Sequence, residues 1–250
     1  MFRFIIFCLL LSGLLKSNIL YSQQRTTDST LLKIDILVAS GRTDKALLFI
    51  DDILFRDPAN IEVQEKKINI LVQADRTKDA LDDIEKLIAM YPIHPEYYYL
   101  RAIINLQRQK YGKSIEDFDK AFQFDMPQNN LYKVYLNRGM AHFYMQDYDL
   151  ADTDFNRVIE LYPNNAAVYH GKGMVKYEMR EYEEAVADFQ KSLNFEEDNP
   201  ITHFNMAMSY FRLGEKDNSC YHFNRSCALG NRNACRLLML ECMQELKIAK

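Results

Sequence analysis

One feature constrains the fold of this chain more than any other: a sequence period of 34 residues. A small residue recurs once in each period, and successive occurrences are separated by 34, 34, 37, 34 and 34 residues. A fixed period of this length is typical of proteins in which each repeat contacts only its neighbours and stacking buries a continuous core. The period therefore predicts a solenoid, whose usual function is binding. The recurring residues are Ala46, Ala80, Ser114, Ala151, Ala185 and Ser219.

Each period contains two stretches in which apolar residues have helical spacing, and a short polar turn separates them. In the fifth period, Tyr169, Gly173 and Tyr177 fall on one predicted helix, whereas Ala185 and Phe189 fall on the next. Small residues allow two helices to approach closely, and aromatic side chains fill the space beside them. Each repeat is therefore predicted to be a pair of antiparallel helices.

This pattern resembles the tetratricopeptide repeat, whose signature is an aromatic residue, Leu-Gly, Tyr, Ala, a second aromatic residue and a closing Pro. The best match is residues 132–165, with Tyr135, Gly139, Tyr148, Ala151, Phe155 and Pro163. The resemblance implies an all-α fold, a right-handed superhelical solenoid of about six helix-turn-helix repeats with a C-terminal capping helix. The expected repeats are 27–60, 61–94, 95–128, 132–165, 166–199 and 200–233, with an insertion at 129–131 and the capping helix at 234–248.

The first two repeats depart from this pattern, because Ile34 and Ile68 stand where later repeats have Gly or Ala. The recurring small residue and a closing proline, Pro58 or Pro92, nevertheless keep the phase. Terminal repeats are expected to be atypical, so both are counted.

A second departure is a cation in place of the signature Leu, with an acid sixteen residues later. This constant spacing predicts an ion pair between the two helices of a repeat. The alternative is a row of cations that binds a carboxylate of a ligand. The predicted pairs are Lys67 with Asp83, Arg101 with Asp117, Arg138 with Asp154, and Lys172 with Asp188.

The N-terminus has the pattern of a secretory signal peptide. Arg3 precedes an apolar run over residues 4–15, which Lys16 ends, and a small residue, Ser22, precedes a polar stretch. We predict a signal peptide at 1–22 and a single domain at 23–250, exported to the periplasm or the cell envelope as in exported bacterial members of the family. The run is shorter than the roughly 20 residues that span a bilayer, so no stable membrane span is expected after cleavage. The alternative is a membrane anchor formed by an uncleaved N-terminus.

Four of the five cysteines lie near the C-terminus, on the last predicted helix of the repeats and on the capping helix. Within each helix the two cysteines are seven residues apart, nearly two turns, and therefore share one face. Facing residues of an antiparallel hairpin have a constant sum of residue numbers, and this condition holds for Cys220 with Cys242 and for Cys227 with Cys235. Two disulfides are predicted, in keeping with export. Free thiols, a zinc site and a thiol oxidoreductase remain alternatives, although the spacing lacks C-x-x-C.

The sequence contains little that indicates other chemistry. The net charge is −4 and no run of Lys or Arg is present, so we do not expect a nucleic-acid partner. The five histidines are scattered without metal-ligand spacing, and the common motifs of nucleophilic catalysis and phosphate binding are missing. We therefore expect no catalytic residue, no metal and no cofactor.

The resemblance also implies a binding surface, because tetratricopeptide domains bind peptides on the concave face formed by the first helices of their repeats. We expect a monomeric, non-enzymatic adaptor that binds a protein or peptide there, in the assembly of the cell envelope. The alternatives are a permanent structural subunit of an envelope complex and a thiol-redox protein. Carrying the family's positions over gives an aromatic and Met-rich set: Tyr99, Ile103, Leu136, Met140, Phe143, Tyr144, His170, Met174, Tyr177, Phe204, Met208 and Phe211.

Overall fold

The computed structural model describes residues 29–242, and these residues form helices and connecting turns without a β-strand. The predicted all-α repeat fold is therefore confirmed. The predicted signal peptide and the end of the predicted capping helix lie outside the described residues. The helices are α1 (residues 29–39), α2 (Thr43–Arg56), α3 (Ile61–Gln73), α4 (Thr77–Met90), α5 (Pro95–Gln107), α6 (Tyr111–Gln123), α7 (Gln128–Tyr144), α8 (Tyr148–Leu161), α9 (Ala166–Glu178), α10 (Tyr182–Phe195), α11 (Pro200–Leu213), α12 (Lys216–Ala228) and α13 (Arg232–Leu237).

The chain divides into two compact units, one ending at Leu87 and the other beginning at Ile88. The described part of the first unit contains α1 to α3 and most of α4. The second unit contains the end of α4 and all later helices. The single domain expected at 23–250 stays a prediction.

The helices follow the predicted repeat frame closely. α3, α5, α9 and α11 each begin at the first residue of a predicted repeat. In every repeat the turn between the two helices contains one residue with a left-handed backbone, with φ between 57° and 78°. The spacing of these residues repeats the sequence period of 34, 34, 37, 34 and 34. They are Gly41, Asp75, Gln109, Gln146, Arg180 and Gly214.

In the two atypical repeats, a larger side chain on the first helix is compensated by a smaller side chain on the second helix. In the first two repeats, Ile34 and Ile68 on the first helix are matched by Ile50 and Ile84 on the second, and all four side chains are fully buried. In the later repeats a Gly or Ala on the first helix is matched by a Phe on the second. Both combinations fill the core, as close packing requires. The later pairs are Ala102 with Phe118, Gly139 with Phe155, Gly173 with Phe189, and Ala207 with Phe223.

The three-residue insertion extends a helix. α7 has 17 residues, whereas α5 and α9 have 13 each. α7 begins at Gln128, directly after Pro127, so residues 129–131 lie in its first turn. Proline is well suited to the start of a helix, because it lacks the N–H that has no partner there. The insertion therefore adds about one turn to α7.

Three of the four predicted ion pairs are confirmed. Arg101 and Arg138 each donate two hydrogen bonds to the acid sixteen residues later, with the shorter N–O distance 2.7 Å in both cases. Lys67 lies 3.0 Å from Asp83. Burial alone would lower the pKa of Arg138, but hydrogen bonds and charge from Asp154 and from Asp119 of the preceding repeat raise it. These cations thus connect helices as structural groups, which disfavours the alternative of a carboxylate-binding row.

The fourth predicted pair is wrong. Nζ of Lys172 lies 2.7 Å from Asp152 in the preceding repeat and also donates to Asn156, whereas Asp188 pairs with Lys191 at 3.3 Å. An ammonium group is a point charge on a flexible stem, so it lacks the planar fork that holds Arg138 on one carboxylate. The nearer oxygens of α8 therefore bind Lys172.

The C-terminal end of the described chain folds back against α12, to which two disulfides join it. They link Cys220 to Cys242 and Cys227 to Cys235, with Cα–Cα distances of 5.8 and 4.6 Å. The capping segment is not one regular α-helix as predicted, because α13 ends at Leu237 and Leu238–Cys242 forms a π-helical turn.

The apolar residues of this capping segment do not all cover the last repeat. Leu238 packs with Ala207 and Phe223, whereas Met239 and Leu240 are exposed. Consecutive residues of a helix point in different directions, so a run of apolar residues cannot lie entirely on one face.

Candidate functional site

The residues that sequence reasoning assigned to a binding surface all lie in the second unit, on α5, α7, α9 and α11. None of them is fully buried, and Tyr144 and Phe211 are the most exposed, at 47% and 45%. We call this set the apolar strip. It consists of Tyr99, Ile103, Leu136, Met140, Phe143, Tyr144, His170, Met174, Tyr177, Phe204, Met208 and Phe211.

Most residues of the apolar strip also contact the core beneath it. Tyr99 and Ile103 pack against a core cluster that includes residues of α5 and α6, and Met174 and Tyr177 pack against a cluster of residues from α10 and α11. Phe204 packs against the core that includes Phe223. These side chains therefore have one buried side and one accessible side. Such a residue contributes to stability and is still available for contact with a partner.

A cavity of about 170 Å³ opens between α9 and α11. Its floor is Phe189, which is fully buried. Sequence reasoning did not name Asn205 as a site residue, although Asn137 occupies the same position of the repeat two units earlier and could have drawn attention to it. We call this space the α9–α11 cavity, and its lining residues are Phe143, Met174, Tyr177, Glu178, Phe189, Phe204, Asn205 and Met208.

A second, wider depression of about 330 Å³ lies between α7, α9 and the start of α11. Leu136, Met140 and His170 of the apolar strip line it. Glu196 and Ile201, which sequence reasoning did not name, are also among the residues that line it. Of these, Glu196 follows α10 and Ile201 lies at the start of α11, so their position depends on how successive repeats pack and not on the pattern within one repeat.

Polar contacts join neighbouring helices along the apolar strip. Nδ2 of Asn137 lies 3.4 Å from the hydroxyl of Tyr99, and Nε of Arg212 donates to the hydroxyl of Tyr177 at 3.3 Å. Burial raises the pKa of Tyr99 to about 12, and nearby Tyr132 adds to the effect. The Tyr99 hydroxyl is therefore neutral at physiological pH and available as a hydrogen-bonding group.

His170 contacts two polar residues of α11. Its Nδ1 lies 2.8 Å from Oγ1 of Thr202, and its Nε2 lies 3.4 Å from Nδ2 of Asn205. Burial lowers the pKa of His170 to about 4, against a weaker opposing effect of Glu196. The ring is therefore neutral at pH 7. A neutral imidazole has one donor and one acceptor nitrogen, so one of these two contacts uses the ring N–H and the other uses the ring lone pair.

Residues 29–242 contain no group of three or more His, Cys, Asp or Glu side chains placed to hold a metal ion. In the same part of the chain, no helix has both the length and the apolar character that a membrane crossing requires.

Comparisons with protein families identify the repeats. A family model described as Tetratricopeptide repeat matches residues 132–165, and another with the same description matches residues 66–128. A model described as TPR repeat matches residues 173–214. The first match covers the repeat that sequence reasoning found to be the best example.

Solved structures share the fold. A tetratricopeptide repeat protein from Parabacteroides merdae is 23% identical, with 83% of this chain and 81% of that chain covered and a TM-score of 0.68. PilW, described as a widely conserved type IV pilus biogenesis factor, is 16% identical, with 84% and 97% covered and a TM-score of 0.74. YrrB, described as a TPR protein with an unusual peptide-binding site, is 14% identical, with 74% and 94% covered and a TM-score of 0.54.

Curated relatives match over a short segment. Peptidyl-prolyl cis-trans isomerase FKBP4 of Homo sapiens and that of Bos taurus are each 41% identical over 59 residues, or 24% of this chain. The chain spans only 12% of the length of these relatives. The likeness therefore concerns a short stretch and not the whole isomerase.

Proposed function

Because the chain belongs to the tetratricopeptide repeat family, we propose that it is a non-enzymatic adaptor that binds a segment of a partner protein along the apolar strip. The observation that carries this proposal is the constant position of the strip residues on α5, α7, α9 and α11, where most of them pack on the core and are still accessible. Contiguous exposed apolar surface commonly marks an interaction site. Methionine side chains suit such a site because they adapt to partners of varied shape.

The partner we propose belongs to the cell envelope. The pattern of residues 1–22 supports export, and the disulfide-linked C-terminal end fits an oxidising compartment. PilW, which shares the fold, is described as a pilus biogenesis factor, and this description supports a role in assembly. We further propose that the protein is a monomer with no nucleic-acid ligand, in keeping with a net charge of −4.

The test compares two matched pairs of exposed aromatic residues. Tyr144 and Phe211 of the apolar strip are 47% and 45% exposed, and Tyr162 and Phe195, which follow or end the second helices α8 and α10, are each 47% exposed. The tagged protein is cross-linked in its host, and its partners are identified by mass spectrometry. We expect Tyr144→Ser with Phe211→Ser to lose a partner that Tyr162→Ser with Phe195→Ser retains.

A partner retained by both double variants would contradict binding on the apolar strip. A partner that is never separated from the protein during purification would favour the alternative, a permanent structural subunit. Thiol–disulfide exchange activity of the purified protein would favour the redox alternative.

A further inference from the structure

We propose that the α9–α11 cavity binds the side chain of a lysine or arginine of the partner segment, an inference that rests on the proposed function. The apolar strip by itself indicates only that the partner has apolar side chains. The α9–α11 cavity adds a requirement for one cation at a defined place in the bound segment.

The walls of the α9–α11 cavity suit a long side chain with an apolar stem. Met174 and Met208 provide flexible apolar surface, and Phe143, Tyr177 and Phe204 provide aromatic rings. Lysine and arginine bury their methylene stems on such surfaces and keep the charged group accessible. Aromatic rings also attract cations through their electron-rich faces. The volume of about 170 Å³ is below the roughly 300–1,000 Å³ of sites for drug-sized ligands, and it fits a single side chain.

The polar groups of the α9–α11 cavity are hydrogen-bond acceptors. Glu178 ends α9, its side chain is exposed, and its carboxylate makes no ion pair with any residue of 29–242. Nδ2 of Asn205 lies 3.4 Å from Nε2 of His170. Oδ1 of Asn205, which has no hydrogen bond within residues 29–242, is left to accept a hydrogen bond. A site with two acceptors and apolar walls favours a ligand that brings donors and positive charge.

The nearby charges agree with this assignment. Burial and the negative charge of Glu178 both raise the pKa of Tyr148. Arg212 does not line the cavity, and its guanidinium donates to the hydroxyl of Tyr177. Lys176 pairs with Glu181. Glu178 is therefore the one charged residue that lines the α9–α11 cavity in the described part of the chain.

The test uses a phage-displayed library of random peptides and three forms of the purified protein. These are the unaltered protein, Glu178→Gln, and the control Glu183→Gln, which changes an exposed carboxylate on α10. We expect the unaltered protein and the control to select peptides with Lys or Arg at one fixed position among apolar residues. Glu178→Gln is expected to select the apolar residues without the cation.

A synthetic peptide from the selection then measures the interaction directly. Replacing its cation by norleucine, which keeps the apolar stem, is expected to weaken binding to the unaltered protein about two- to fivefold. The same replacement is expected to leave binding to Glu178→Gln unchanged. Thermal unfolding of each variant is the control that tests whether the fold is retained.

The outcomes separate the two proposals. Selected peptides that lack a cation, or that bind Glu178→Gln as well as the unaltered protein, would overturn this inference and leave binding on the apolar strip intact. If no selected peptide is lost in the Tyr144→Ser, Phe211→Ser variant, both proposals fail.

Discussion

Individual residues determine how closely the helices of a repeat approach each other. A Cβ atom at Gly173 would lie 2.6 Å from Cε1 of Phe189, and one at Gly139 would lie 2.7 Å from Cε1 of Phe155. Both rings are fully buried. The sequence indicated that these glycines are needed for close approach. It could not show that in the first two repeats an isoleucine on each helix fills the space that a Gly or Ala and a Phe fill in the later repeats.

We expect Gly173→Ala to lower the free energy of unfolding by about 1–3 kcal/mol, because the new methyl group forces the buried Phe189 ring to move. The control is Gly112→Ala on α6, where a Cβ meets no atom within 4 Å. Alanine is the better helix former, so the control is expected to raise stability by about 0.5–1 kcal/mol. Urea denaturation measures both, and a change of the same sign in both variants would contradict the packing argument.

At the scale of helices, the guanidinium of Arg138 holds three elements together. It binds Asp154 on α8 with two hydrogen bonds and Asp119 on α6 with a third. The side chain of Asp154 is only 4% exposed, and Arg138 is the cation that pairs with it. The spacing in the sequence predicted the bond to α8. It gave no indication of the bond to α6, which depends on how neighbouring repeats pack.

Removing this arginine should be costly. We expect Arg138→Gln to lower the free energy of unfolding by about 1.5–3 kcal/mol, because a nearly buried carboxylate loses its charged donor. The control is Arg157→Gln, which breaks a pair with Glu160 whose side chains are 58% and 60% exposed. An exposed pair contributes roughly 0–1 kcal/mol. Chemical denaturation of the two variants tests the difference, and equal losses would show that burial of the pair has no effect.

For the molecule as a whole, the sequence was most informative about the features that are formed within a single repeat. The helices, the turns and the buried small residues depend on contacts within a repeat, and the period reports them directly. The α9–α11 cavity depends on side chains such as Tyr177 and Met208, which meet only when two repeats pack together. Which residues of the apolar strip belong to the core and which are accessible to a partner also depends on the packing of neighbouring repeats, because this packing determines side-chain exposure.

The buried histidines make the stability of the molecule depend on pH. Burial lowers the pKa of His170 to about 4, from about 6.5 in an unfolded chain. Burial also lowers the pKa of His203 and of His222, whose Nδ1 atoms lie 2.9 Å apart. The folded state thus favours the neutral rings. The contribution of His170 to stability is complete above about pH 6.5 and is lost as the pH falls towards about 4, since the unfolded chain then binds more protons.

We expect the free energy of unfolding to fall with a slope of up to about 1.4 kcal/mol per pH unit from His170 in this range. His170→Gln cannot titrate and is expected to show a shallower decline. Urea denaturation at a series of pH values measures the two slopes, and equal slopes would show that His170 is not protonated during acid unfolding.

The two C-terminal disulfides both span the turn at Gly230, an exposed residue with φ of 95°. Exposed turns are the preferred places for proteases to cut a chain. A single cut at this turn would leave two polypeptides that are still covalently joined on either side of the break. The capping segment could be released only after the same molecule was also reduced at both bridges. In a compartment rich in proteases and poor in reductants, a nicked molecule would therefore keep its C-terminal end.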